Sequence, residues 1–444
     1  RIGESAPDQW KCQVQGEDVM WRIVLLSFVV VSLGGCHEDP ASTGEGSVAT
    51  DVAKSPSRGE GGKPAAKERG VPVTGVLEIR KDGTGFLRSL EHDLAERKSD
   101  PMLPMKMVKR FLLKQGSLVE GKGVQGKPGL GPRVEFVDKV DGLPVSDQRR
   151  RKGFRKLTVI DPDFHFELGT CEQEGQLSMR ILDLLCPVGR GQRGLIVAAP
   201  RTGKTTLMQQ IACSMETLYS DVNLIVLLVD ERPEEATYWR RAIKNGEVYV
   251  STMDESPHNH VRLAEMVIAR AERLVETGQE VVILLDSLTR LTRAYNNTLG
   301  GKNSKVMSGG LDSRVMTKPK NFFGAARNTE DAGSLTILAT ALVETGSRMD
   351  QVIFEEFKGT GNMELTLDRQ LADRRVFPAV AHDQTGTRKE EKLLSPKTLR
   401  KVNILRRVLG RMRPREAMEM LVDRLGKYPS NQEFLAAFSI DDDS

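Results

Sequence analysis

Apolar and polar positions divide the chain into regions of different period. Between about residues 178 and 382, short uninterrupted apolar runs alternate with stretches of helical spacing. The runs at 195–199, 224–229 and 281–285 are too short for buried helices and predict strands covered on both faces. Between the last two, HVRLAEMVIARAERLVETG repeats its apolar residues at helical spacing and stops at Gly278, as a C-cap would. Strand and helix in alternation predict an α/β fold, a parallel sheet with helices on both faces.

Upstream the period falls to two. GVLEIRKDGTGFLRS alternates around Asp82-Gly83, the pattern of a β-hairpin, and further short β-like pieces near 118–120 and 134–140 flank GKGVQGKPGLGPR. Several short strands in so few residues predict a small barrel of the oligonucleotide-binding, cold-shock-like kind. Downstream, Ser395-Pro396 supplies an N-cap with proline at N1, and the pattern is helical, with Gly410 and Gly426 as stops and an acidic tail at 441–443. The expected divisions are a barrel over 71–145, a connector over 146–177 that holds the basic run 149–152, an α/β core over 178–390 and a helical part over 391–444.

Two stretches precede the barrel. Met20-Trp21-Arg22 leads into IVLLSFVVVSLGGC, a basic start, an apolar run and a small-residue end at Cys36, as in a bacterial lipoprotein signal, yet short for a transmembrane helix. The sequence starts at Arg1 rather than Met, so residues 1–36 read either as an export signal or as a vestigial or misread N-terminus. Residues 37–70 hold almost no large apolar side chain and predict a flexible linker.

Composition changes this picture little. The 444 residues allow two or three domains, and a net charge of +4 neither demands nor excludes a nucleic-acid partner. Cys12, Cys36, Cys171, Cys186 and Cys213 form no C-x-x-C pair, which argues against a disulfide framework and a zinc site. His258-x-His260 lacks ligand partners at metal spacing.

The chemistry concentrates in RGLIVAAPRTGKTTL at 193–207. Strand, tight loop and helix make a phosphate cradle, in which backbone N–H groups and the helix dipole attract the anion. Lys204 would reach the β- and γ-phosphates, and the Thr205 hydroxyl would ligate Mg²⁺. Ala198 stands where the strict motif has glycine. Asp230-Glu231-Arg232 closes the 224–229 run, at the strand end where α/β sheets place ligands. Asp286 closes the 281–285 run as a Walker B carboxylate that would hold the metal shell. Two polar loops, one with Lys302 and Lys305 and one with Arg348, open on one rim, as polyanion grips or simply as mobile loops. On the barrel, Arg80, Lys81, Arg88, Lys106, Lys109 and Arg110 are candidate phosphate contacts. Phe86 is either a stacking face or a core residue.

Taken together, PVGRGQRGLIVAAPRTGKT, LVDERPEEAT, ILLDSLTRLTRAYN, KNFFGAARN, EEFKGTGNMEL, RRVFPAV and TGTRKEE carry a likeness that runs from Val71 to about Leu435. The chain resembles the Rho family of bacterial transcription terminators, ring-shaped RNA-dependent ATPases and helicases with a RecA-like P-loop core. The usual loop of that family also accommodates Ala198. The resemblance implies ATP and Mg²⁺ as cofactors, with Thr205 and Asp286 on the metal. It implies catalytic roles for Glu231, which orients the attacking water, and for Lys204 and Arg232. Arg388 corresponds to an arginine finger given by a neighbouring subunit, and Arg375 to a residue of the same interface. Nucleotide contacts are implied for Gly189, Arg190, Gly191, Gln192, Arg193, Gly194, Arg201, Thr202, Gly203, Thr206 and the adenine-packing Phe377. RNA contacts are implied for Phe86, Lys109, Arg110 and the channel-loop residues Lys305 and Arg348, and Arg88 joins them as a basic residue of the barrel.

Thr84, Met102 and Val134 stand where the family commonly has aromatics, so weaker or altered RNA loading is expected. The implied partners are the nascent RNA, five further copies in a homohexamer and the RNA polymerase elongation complex. The implied location is the cytoplasm, with membrane attachment through Cys36 the lesser alternative. Two other readings compete: a rotary-ATPase catalytic subunit, which shares PxGRGQR, and a non-hydrolysing nucleic-acid-binding ring switched by ATP.

Overall fold

The computed structural model describes residues 70–437, apart from 127, 173–174, 300–309 and 313. The signal-like segment, the linker, Lys302, Lys305 and the acidic tail lie outside the described residues.

The period-two region folds as expected into a barrel. Strands β1 (Val71–Ile79), β2 (Gly85–Arg88), β3 (Met102–Leu103), β4 (Leu118–Val124), β5 (Arg133–Val140) and β6 (Leu143–Pro144) pair in the order β3-β2-β1-β4-β5-β6. A parallel contact of Met102 in β3 with Arg133 in β5 closes the sheet on itself. In the hairpin, Gly83 takes a left-handed φ of 84°, and the Asp82 carboxylate accepts the Thr84 N–H at 2.9 Å. Val73, Leu77, Leu87, Leu103, Val119 and Val137 fill the interior. A short helix, α1 (Met105–Arg110), which the sequence pattern did not reveal, follows β3.

A connector made of two small ladders leads into the core. Strand β7 (Val159–Ile160) pairs with β14 (Asn328–Thr329), and β8 (His165–Phe166) with β9 (Val188–Gly189). The large sheet has the order β12-β11-β13-β15-β10-β16-β17. Its members are β10 (Arg193–Ala198), β11 (Val222–Glu231), β12 (Glu247–Thr252), β13 (Glu280–Asp286), β15 (Leu335–Leu342), β16 (Met363–Leu367) and β17 (Gly386–Thr387). All its pairings are parallel except that of the short edge strand β17.

Alternation along each central strand feeds two cores. Ile196, Val226, Leu228 and Leu284 face one layer, with α2 (Gln176–Leu185), α3 (Lys204–Leu218) and α4 (Pro233–Ala242). Leu195, Leu227, Val229 and Ile283 face the other, with α5 (Pro257–Glu276), α6 (Leu288–Leu299), α7 (Thr317–Phe323) and α8 (Arg348–Lys358). The C-terminal helices α10 (Pro396–Leu409), α11 (Pro414–Leu425) and α12 (Asn431–Ala436) bury Leu405, Leu421 and Phe434 in the first of these cores, beside the short α9 (Arg369–Asp373). They extend the α/β core and form no core of their own. Val76 and Leu94 of the barrel insert into the second core, which ties the barrel to the α5 side. Among the described residues, no helix is long and apolar enough to cross a membrane.

Candidate active site and RNA interface

The phosphate loop follows from three local facts. The apolar run of β10 ends at Ala198. Arg201 and Gly203 then take left-handed φ values of 67° and 87°, and the buried Thr202 hydroxyl donates to the Ala199 carbonyl at 2.8 Å. Helix α3 starts at Lys204 with Gly203 as its N-cap, so its first N–H groups point into the loop. The Phe377 ring lies over Gly203, where an added Cβ would sit 3.5 Å from the ring edge, and Phe377 itself is 46% exposed. An exposed aromatic beside a phosphate cradle is a platform for a base.

Lys204 Nζ donates to both oxygens of the buried Asp286, at 2.5 and 2.6 Å, and Thr340 Oγ1 donates to one of them at 2.9 Å. Glu231 arrives by a β-bulge. The register with β12 slips between Val229 and Glu231, and Asp230 takes a left-handed φ of 55°. The extra residue re-aims the next side chain inward, so Glu231 is only 2% exposed. Arg290 Nη2 lies 3.3 Å from Glu231 Oε1, and Arg290 Nη1 also donates to the Asp230 carbonyl. Glu231 Oε2 is buried without a hydrogen-bond partner among the described residues. Desolvation first, and then the nearby Asp286 charge, push the Glu231 carboxyl up to about 7, against the pull of Arg290 and Lys204. A buried carboxylate with one open oxygen beside a phosphate loop is equipped to hold a water. Arg232, the exposed N-cap of α4, stands beside it. Sequence reasoning missed Arg290 and Thr340; the one signal for Arg290 was its place four residues after Asp286.

Nucleotide residues expected to act together fall at opposite ends of the sheet. Gly189 to Gly194 stand at the amino end of β10, whereas the phosphate loop follows its carboxyl end. The four strand residues 195–198 separate Gly194 from the loop, roughly 13 Å of rise, and Gly189 to Gln192 lie farther back. Gly191, with φ 82°, packs on the Asn328 backbone. The Gln192 amide donates to the Asn362 side chain at 2.7 Å, and Arg190 stacks 4.0 Å over Phe164. Arg193 reaches the Thr360 and Ala326 carbonyls at 3.2 and 3.1 Å. Within one copy these residues are therefore set back from their own phosphate loop by the rise of β10.

Instead they edge a cavity of about 440 Å³ lined by Gly191, Arg193, Arg327, Asn362, Asp161 and Lys392. Arg388 stands on this same end, exposed, its backbone N–H donating to the Asn362 carbonyl at 2.9 Å. Arg375 is also exposed, but it follows α9 at the carboxyl end of β16, on the phosphate-loop side. The two arginines thus occupy opposite ends of the sheet.

On the barrel, Phe86 is half-buried, with the Arg80 guanidinium 4.3 Å from its ring centre. The expectation that Arg88 contacts phosphate is corrected: Arg88 is 1% exposed and pairs at 2.6 Å with Glu78 through Nε and with Asp100 through Nη1. Its positive charge is consumed inside the protein. Val134 is likewise a core residue of the barrel, so an aromatic at that position would not be a surface platform. Lys109 and Arg110 are exposed on the last turn of α1, and Arg348 is exposed at the start of α8, beside a cavity of about 460 Å³ at the carboxyl end of β15. No cluster of three or more metal-type side chains exists among the described residues, and His260 is bonded to Ser251.

A P-loop ATPase core joined to a nucleic-acid-type barrel is the class this architecture defines. Residues 178–385 match the ATP synthase alpha/beta family nucleotide-binding domain, and residues 73–144 match the Rho termination factor RNA-binding domain. Transcription termination factor Rho of Aquifex aeolicus (strain VF5) is 47% identical over 84% of this chain and 86% of the relative. The Haemophilus influenzae factor Rho is 50% identical over 81% and 86%. Among solved structures, an ATPase from the type III secretion system of pathogenic bacteria superposes with a TM-score of 0.52 at 22% identity, over 71% of this chain and 84% of that one. The assembled ATPase EscN gives 0.51 at 20%, over 68% of each. These two share the fold.

The chain belongs to the transcription termination factor Rho family. It is an ATP-hydrolysing P-loop enzyme of transcription termination with an RNA-binding domain, and the rotary-subunit reading is set aside by the relatives and the barrel together.

Proposed function

We propose that this chain is the subunit of a homohexameric, RNA-driven translocase that hydrolyses ATP where two copies meet. The observation that carries the reading is the separation of Arg388 from its own phosphate loop by the length of the sheet. A guanidinium at that end has only another copy's nucleotide to serve. Within one copy, Lys204 and the α3 N-terminus bind the phosphates, Glu231 holds the in-line water on its open oxygen, and Phe377 packs the base. Asp286 and Thr205 fit Mg²⁺, since a buried carboxylate now neutralised by the Lys204 ammonium suits a cation held largely through phosphate and water oxygens. Bound Mg²⁺ would neutralise charge developing on the β- and γ-phosphates. Arg348 and Lys305 would grip RNA in the channel, while Phe86, Lys109 and Arg110 load it on the barrel.

The cytoplasm and the RNA polymerase elongation complex are where such an activity operates. The test is ATP hydrolysis with and without RNA, in wild type and Glu231→Gln. Stimulation by RNA that vanishes in the variant supports the reading; RNA-independent turnover contradicts it.

A further inference from the structure

Between β2 and β3, the barrel sends a crossover over the α/β core. Two successive non-glycine residues there, Asp93 and Leu94, hold left-handed φ values of 50° and 56°, a conformation that persists where surrounding contacts impose it. The contacts are specific. Leu94 is fully buried in the α5-side core. The Asp93 carboxylate takes Arg240 of α4 at 2.6 Å and the Val250 N–H of β12 at 3.4 Å. The Leu94 carbonyl accepts Arg262 of α5 at 2.8 Å.

Each of these three elements also borders the catalytic bulge. Helix α4 begins directly after Glu231 and Arg232. In β12, Ser251 follows Val250 and bonds His260 Nδ1 at 2.6 Å, and His260 Nε2 lies 3.9 Å from the carboxylate of Asp230, the bulge residue. Helix α5 carries both His260 and Arg262, two residues apart and so on different sides of the helix. Toward the RNA surface, Arg262 shares Glu78 Oε2, at 3.1 Å, with Arg88, whose guanidinium lies 5.1 Å from the Phe86 ring. A cavity of about 410 Å³, lined in part by Asp93, Glu96, Glu255, His258 and Arg262, leaves the crossover room to shift.

We propose that Asp93, Arg262 and His260 are positioning residues that couple a base stacked on Phe86 to the aim of Glu231 through the crossover and the first turns of α5. The inference rests on the proposed RNA-driven hydrolysis. RNA need only bind one arrangement of the crossover more tightly than the other for the bulge to follow.

The test is a double-mutant cycle on the full chain, with ATP turnover read at saturating C-rich RNA and RNA affinity read by anisotropy of the same RNA, labelled. Arg262→Met should lower the RNA-stimulated kcat about tenfold, within the usual range of allosteric coupling. RNA affinity, the KM for ATP and the RNA-free rate should stay within about twofold. Phe86→Ala at saturating RNA should show the same loss, and the double variant should be no worse than the poorer single one. His260→Asn should lower kcat with an unchanged KM. Arg262→Lys, which keeps the charge but not the two-pronged geometry, should fall between, and it carries the cycle if Arg262→Met fails to fold. Independent, multiplying losses, or an Arg262→Met enzyme with full stimulation, overturn the relay and leave the proposed function standing. A wild type that RNA does not stimulate overturns both.

Discussion

Two buried clusters of charge, one in the barrel and one in the α/β core, are built from the same groups and serve opposite ends. In the barrel, Arg88 is enclosed by Glu78 and Asp100 and faces Glu96, 3.3 Å from its Nη2, with Arg262 completing Glu78. In the core, Asp286 is filled by Lys204, but Glu231 keeps one oxygen open and is pushed up to about 7. A buried charge ringed by opposite charges is a structural pin, even with one guanidinium nitrogen, Arg88 Nη2, outside its hydrogen bonds; a buried carboxylate set beside a like charge with an oxygen open is poised to bind something else. By that measure the arginine that sequence suggests for RNA belongs to the scaffold, and Glu231 suits the role proposed for it.

The largest effects should come from breaking the open cluster. Glu231→Gln is expected to lower RNA-stimulated ATP turnover by at least about a thousandfold with ATP binding retained, measured by steady-state turnover and nucleotide titration. Breaking the closed cluster should unfold rather than inactivate. Arg88→Met takes the cation from the buried Asp100 and leaves Glu78 with Arg262 alone, and should cost about 3–5 kcal/mol, read as an earlier denaturation midpoint.

A third outcome sharpens the contrast through pH. The Glu231 pKa is raised in the fold from 4.5 to about 7, so its contribution to stability is complete below 4.5 and lost as pH rises through about 7. Glu231→Gln escapes that loss. Without nucleotide it should gain on the order of 3 kcal/mol over wild type between pH 5 and pH 8, and less if the site relaxes. Phe86→Ala should then weaken RNA binding by about 1–3 kcal/mol. Smallest of all, Lys109→Ala with Arg110→Ala should flatten the salt dependence of RNA binding by about 1–2 counterions, whereas Arg88→Lys should leave that slope unchanged.

Much of this arrangement was legible before any coordinates. Apolar runs that end in Asp286 or in Asp230-Glu231 identify strands that deliver carboxylates to one rim, because buried parallel strands rarely carry charged residues until they emerge. The burial of Arg88 was not legible. In β2 both faces are covered, one by the barrel interior and one by the crossover, and a period-two pattern says nothing about what covers the outer face. Gly189 to Gly194 are assigned through the family resemblance, and their place in the fold was not legible: a straight strand carries the chain from one end of the sheet to the other, so neighbours of the phosphate loop in sequence are set back from it in space. The same geometry gives Arg388 its meaning. Its distance from the loop is set by β16 running parallel to β10 with β17 returning antiparallel, a topology that spacing alone does not specify.

The central claim, a catalytic site shared by two copies, is tested most directly by mixing two inactive variants. Arg388→Ala keeps an intact Glu231, and Glu231→Gln keeps an intact Arg388. Each alone should turn over ATP at least about a thousandfold more slowly than wild type. In mixed assemblies the account predicts that RNA-stimulated hydrolysis returns in proportion to the interfaces where the Arg388→Ala copy supplies the phosphate loop and the Glu231→Gln copy the guanidinium. A mixture as silent as its components, or Arg388→Ala copies fully active on their own, would contradict it.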